Sequence, residues 1–110
     1  MSKNELLKEV QEIMKYSGSK LPDQFRAFGD LNRSVLADGK LSHKTKEIIA
    51  VALSLASSCE WCITYHTVEA RKSGASDDEI LESAFIAVLM AGSPALMHMN
   101  ILKEALEEKK

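Results

Sequence analysis

Apolar residues return every three or four positions along most of this chain, and that spacing is the helical one. Leu6, Leu7, Val10, Ile13 and Met14 define an amphipathic helix from about Lys3 to Tyr16. Ser17-Gly18-Ser19 predicts its end, and Pro22 suits the first turn of the next helix, where its missing N–H costs nothing. Phe25, Phe28, Leu31, Val35 and Leu36 carry that second helix to a stop at Asp38-Gly39, with Gly29 as a candidate break within it. Ser42 reads as the N-cap of a third helix reaching about Ala56.

Further starts and stops are clear in the second half. Ser57-Ser58 precedes a helix that should end near Gly74. Ser76-Asp77-Asp78-Glu79 has capping-box spacing, with its acids at the positive end of the helix dipole, and Gly92 should close the helix that runs from Asp77 to Ala91. Ser93-Pro94 opens the last one. No sustained period-two run with hairpin turn chemistry, internal repeat or linker interrupts the pattern. The expectation is a single all-α domain spanning residues 1–110, with five or six helices.

Two stretches, Ile48 to Ala56 and Ala84 to Ala91, are apolar around nearly their whole circumference. A helix greasy on every side has to be surrounded on every side. A chain of 110 residues has little material to surround two, so a homo-oligomer is expected. Leu89, Met90, Leu96, Met97 and Met99 supply adaptable packing for its interface.

Composition narrows the class of function. A net charge of -2 gives no electrostatic case for nucleic acid or an anionic membrane surface. No apolar run approaches the length of a membrane span, and the acidic start Met1-Ser2-Lys3-Asn4-Glu5 does not resemble a secretory signal. The expected location is cytoplasmic. Only two cysteines are present, three positions apart. A bridge between them closes too small a loop to stabilise the fold by restricting the unfolded chain, so stapling is a poor explanation for the pair.

The chemistry concentrates in Cys59-Glu60-Trp61-Cys62-Ile63-Thr64-Tyr65-His66. At about 100° per residue, Cys59, Cys62 and His66 fall within roughly 60° of one another, while Trp61, Tyr65 and Val68 lie on a different side, read here as the packing face. An unperturbed thiol is only about 3% thiolate at neutral pH, and the thiolate is the nucleophile. A helix N-terminus stabilises that anion, and an imidazole one turn away takes or returns the proton. A second cysteine then resolves a mixed disulfide or sulfenic acid. The same residues admit two other readings. Cys59, Cys62 and His66 supply three zinc ligands, with His43, His98 or Glu47 to complete a set of four, as in a metal-binding or redox-sensing module. Alternatively, the thiols are inert. Glu60 has the wrong sign to activate a thiol, and His43 and His98 have no evident partner.

These residues resemble the AhpD-like (alkylhydroperoxidase) group within the carboxymuconolactone decarboxylase family. The family core carries a glutamate, then twelve residues on a C-x-x-C, then a histidine four beyond the second cysteine. Glu47, Cys59, Cys62 and His66 match those spacings, and the likeness extends over residues from about 20 to 105. The resemblance implies an all-helical homotrimer or homohexamer acting as a hydroperoxide or disulfide reductase, without a bound cofactor or metal. It implies that Cys62 attacks, that Cys59 resolves, and that His66 with Glu47 relays protons. Its oxidant would be an organic hydroperoxide or a partner disulfide, and its electron donor a lipoylated protein or another dithiol of thioredoxin-like kind. Some members carry a second histidine just before the second cysteine. Here that residue is Trp61, which cannot move protons. The decarboxylase branch of the family lacks the cysteine pair.

Overall fold

A computed structural model describes residues 1–107; residues 108–110 of the expected single domain lie outside the described residues. Six α-helices and no strand occur among the described residues: α1 (Lys3–Lys20), α2 (Pro22–Leu36), α3 (His43–Ala56), α4 (Glu60–Lys72), α5 (Asp77–Ala91) and α6 (Ser93–Glu107). None is long and apolar enough to cross a membrane. Helix α3 packs against both α4 and α5, and α6 lies across that pair. Val51 and Leu55 of α3, Ile63 and Ala70 of α4, Ile80, Ala84 and Ala87 of α5, and Ala95 and Leu102 of α6 form the core. The alanines keep the helices close where larger side chains would hold them apart.

The caps follow the sequence where side chains decide them. Ser2 and Ser76 each form a complete capping box, with Glu5 and Glu79 respectively, and Ser42 accepts from the Thr45 amide. Arg71, near the end of α4, donates twice to Asp77 at 2.9 Å and once to the Leu106 carbonyl at 2.6 Å. One guanidinium fork thus ties the end of α4 to the start of α5 and the end of α6.

Three expectations need correction. Helix α1 continues through Ser17-Gly18-Ser19 to Lys20, so the turn sits at Leu21-Pro22 instead. A Cβ at position 18 would stand 3.4 Å from the Phe25 ring, an ordinary packing distance, so Gly18 is accommodated within the helix rather than ending it. Gly29 does not divide α2. The buried face of α4 is Ile63, Thr64, Thr67 and Ala70, not the side bearing Trp61, Tyr65 and Val68, and Trp61 is 46% exposed. The two threonines are buried without cost to hydrogen bonding because their hydroxyls donate to the Glu60 and Ile63 carbonyls one turn back.

Much apolar surface stays open. Helix α2 buries none of its residues and exposes Phe28, Leu31 and Val35. On α5, Phe85, Ile86, Leu89 and Met90 are exposed, and Leu53 of α3 is as well. Helix α2 packs chiefly along α1 and is further held through its C-terminal carbonyls, which its own ladder leaves unpaired. The Lys46 ammonium donates to Val35 and Ala37, and the His43 ring bonds Leu36. A cation suits the negative end of the helix dipole there.

Candidate redox site

The turn between α3 and α4 sets the site. The Ser58 amide donates to the Leu55 carbonyl and the Cys59 amide to Ser54, the crossed pair of bonds that closes a helix around a residue in left-handed conformation. That residue is Ser58, at φ +57°. The end of α4 is built the same way, with amides of Gly74 and Ala75 donating to Arg71 and Ala70, and there the left-handed position holds glycine. A side chain in that conformation costs about 1–2 kcal/mol. The turn before the cysteines therefore bears strain that its counterpart avoids.

Cys59 emerges from this turn as the N-cap of α4. Its sulfur accepts from the Cys62 amide at 3.1 Å, so the cap that Ser57-Ser58 should provide is made by a cysteine. Cys59 and Cys62 are joined as a disulfide, with Cα atoms 5.2 Å apart. Both sulfurs stand at the positive end of α4, where a developing thiolate meets the helix dipole and a free amide. They line an open groove of about 720 Å³ between α1 and the start of α4, walled by Val10, Ile13, Tyr16 and Trp61 and edged by Glu9 and Glu12. The Trp61 indole N–H donates to Glu9 at 2.8 Å, which latches α1 to the start of α4 beside the cysteines. The contribution of α1 to this wall was missed in the sequence. Its signal was in the apolar spacing of Val10 and Ile13, which the sequence used only to define an amphipathic helix.

Glu47 and His66 meet from different helices. The Glu47 carboxylate is 2% exposed, and its Oε1 lies 2.7 Å from His66 Nδ1. A carboxylate accepts, so Nδ1 carries the proton and donates, leaving Nε2 as the ring nitrogen free to take one. Cys62 stands one turn before His66 on α4, which puts thiol and imidazole on the same helix face. Nearby, the Tyr65 hydroxyl is held above the usual tyrosine value, first by burial and then by the charges of Glu69 and Glu47.

The remaining histidines separate. His98 bonds the Pro94 carbonyl of its own helix, on α6. His43, expected to lack a partner, has one: its Nε2 is 3.7 Å from Glu47 Oε2. The spacing that could have revealed it, i to i+4 into Glu47 on one helix, is visible in the sequence. Among the described residues, no group of three His, Cys, Asp or Glu side chains is arranged to hold a metal ion.

The comparisons with known proteins agree with this architecture. The model of the family described as "Carboxymuconolactone decarboxylase family" matches residues 22–105. A Paracoccus denitrificans protein, called uncharacterized protein 4 in cox locus, is 37% identical over 92 residues, covering 84% of this chain and 80% of its own. The crystal structure of a carboxymuconolactone decarboxylase family protein from Legionella pneumophila superposes with a TM-score of 0.91 at 32% identity, over 98% of this chain and 97% of that one. A Thermotoga maritima member, for which a part in antioxidative response has been suggested, gives a TM-score of 0.78 at 32% identity over 92% and 90%.

Proposed function

The chain belongs to the carboxymuconolactone decarboxylase family, and from that premise we propose that it is a thiol-dependent redox enzyme of the AhpD-like type. It reduces an organic hydroperoxide, or the disulfide of a partner protein, by cycling Cys59 and Cys62 between dithiol and disulfide. One observation carries this reading. A buried carboxylate, Glu47, fixes the proton on His66 Nδ1, and His66 lies one helical turn from a cysteine pair that opens into a groove.

In the reduced protein, His66 Nε2 takes the proton from Cys62, and Glu47 stabilises the resulting imidazolium. The Cys62 thiolate attacks the distal oxygen of the hydroperoxide. The O–O bond breaks, the proton from His66 passes to the departing alkoxide, and an alcohol and a sulfenic acid remain. Cys59 attacks that sulfur, giving the disulfide and water. An external dithiol, from a lipoylated or thioredoxin-like protein, then attacks Cys62 and expels Cys59. The amide of Cys62, already donating to the Cys59 sulfur, stabilises that leaving thiolate, and a better-stabilised thiolate leaves faster. The donor ends as a disulfide and the enzyme as a dithiol. The apolar walls of the groove suit the hydrocarbon part of either substrate.

The test is hydroperoxide consumption driven by dihydrolipoamide, thioredoxin or glutathione, with Cys62→Ser as control. At least one donor should support turnover that Cys62→Ser abolishes. Mild oxidation of the reduced protein should remove about two mass units per chain. Thiols that stay inert in the folded protein, or undiminished turnover by Cys62→Ser, would overturn the assignment.

A further inference from the structure

We propose that His43 is a positioning residue for the thiol chemistry, holding the second oxygen of Glu47 so that the first can fix His66. This rests on the roles given above to Glu47, His66 and Cys62.

A carboxylate that is 2% exposed needs partners on both oxygens, because burial removes the water that would otherwise serve them. His66 serves Oε1 at 2.7 Å. On the other side stands His43 Nε2, at ion-pair distance from Oε2. The protonation of the His43 ring is constrained from its far end. Nδ1 lies 2.6 Å from the Leu36 carbonyl, which only accepts, so Nδ1 carries a proton. Nε2 therefore bears one only when the ring is an imidazolium. A bare Nε2 would set a lone pair against the carboxylate, whereas an imidazolium points an N–H at it.

The backbone holds the ring in this place. His43 is the first residue of α3, its amide donates to Asp38 at 2.6 Å, and its ring spans from the last carbonyls of α2 to the buried Glu47. At 38% exposure its side chain reaches solvent, whereas that of Glu47 does not. The other ionisable groups around this array are engaged elsewhere or carry no positive charge to Glu47. Lys46 donates to Val35 and Ala37, and Lys44 pairs with Glu79 of α5. Tyr65 and Glu69 of α4 and Asp38 of the α2–α3 loop also lie near the array. The array is thus a histidine–glutamate–histidine bracket with one ring toward solvent and the other toward the cysteines.

The experiment follows alkylation of Cys62 by iodoacetamide against pH, in reduced protein carrying Cys59→Ser so that one thiol reports. Replacing His43 by leucine removes the ring at ion-pair distance from Oε2, and with it the side chain that holds Glu47 in place against His66. His43→Leu should raise the midpoint of the profile by about one pH unit, which is about tenfold slower alkylation below the midpoint. His43→Gln, whose amide can donate to Oε2, should restore most of it. A His43→Leu profile that superimposes on the parent while Glu47→Gln shifts would overturn the role of His43 and leave the relay standing. If Glu47→Gln does not shift either, the relay itself fails. Failure of glutamine to rescue would mean that the ring acts only as packing.

Discussion

The Cys62 amide donates to the sulfur of Cys59 at 3.1 Å, so one cysteine is at once half of the disulfide and the N-cap of α4. Cap and redox chemistry can be separated by substitution. Serine is a better cap than alanine, and the difference is typically about 1 kcal/mol. In reduced protein, Cys59→Ser should therefore be more stable than Cys59→Ala by about that amount, although neither forms the disulfide. Urea unfolding under reducing conditions measures it. Equal midpoints would show that a side-chain cap at position 59 adds nothing to α4.

The strained turn makes a second prediction. Ser58 holds φ +57° where the matching turn after α4 uses Gly74. Ser58→Gly removes the steric cost but gives the unfolded chain more freedom, worth about 0.4–1 kcal/mol in the opposite direction. The net expectation is stabilisation by about 0.5–1 kcal/mol. Ser58→Val, β-branched in the same conformation, should destabilise by more than 1 kcal/mol, on the order of other strained backbone positions. Thermal melts of the two variants should move in opposite directions, and a shift in the same direction would refute the strain.

Acid should loosen two helix starts. The carboxyls of Glu5 and Glu79 sit below the ordinary value of 4.5, chiefly because the backbone amides of Ser2 and Ser76 donate to them. For a carboxyl lowered in the folded state, the stabilisation is present above the unfolded value and disappears as pH falls through the folded one. Unfolding midpoints should therefore drop as pH is taken from about 5 to about 3. Glu5→Gln with Glu79→Gln should reduce that slope. Both groups lie at the surface, so salt should weaken the effect. An unchanged slope in the double variant would place the acid sensitivity elsewhere.

The apolar faces of α2 and α5 predict self-association. Leu89 and Met90 are 78% and 79% exposed, and α2 contributes nothing to the core of the single chain. Contiguous exposure of this kind is rare in a monomer. We expect a homo-oligomer, a trimer or hexamer, and light scattering should give three or six times the chain mass of 12.2 kDa. Leu89→Glu should shift the species toward single chains without unfolding them. A wild-type protein that runs as a monomer at micromolar concentration would contradict this.

The helices were legible in the chain because their determinants are local. Apolar periodicity, the serine caps at 42 and 76, Pro22 and Gly92 act within a turn or two of themselves, so a linear reading sees them whole, while the capping box at Ser2 went unread. The family spacing of Glu47, Cys59, Cys62 and His66 was legible for the same reason. What the sequence left open was which faces meet. Helix α4 buries Ile63 and Thr67 rather than Trp61 and Tyr65, a choice of face that its own sequence did not reveal. The pairing of Glu47 with His66 across 19 positions, and the approach of His43 to the same carboxylate, needed two helices and the end of a third to be set side by side. Periodicity gives the face of each helix its character, but the rotation of one helix against another is decided only when all of them compete for the same buried space.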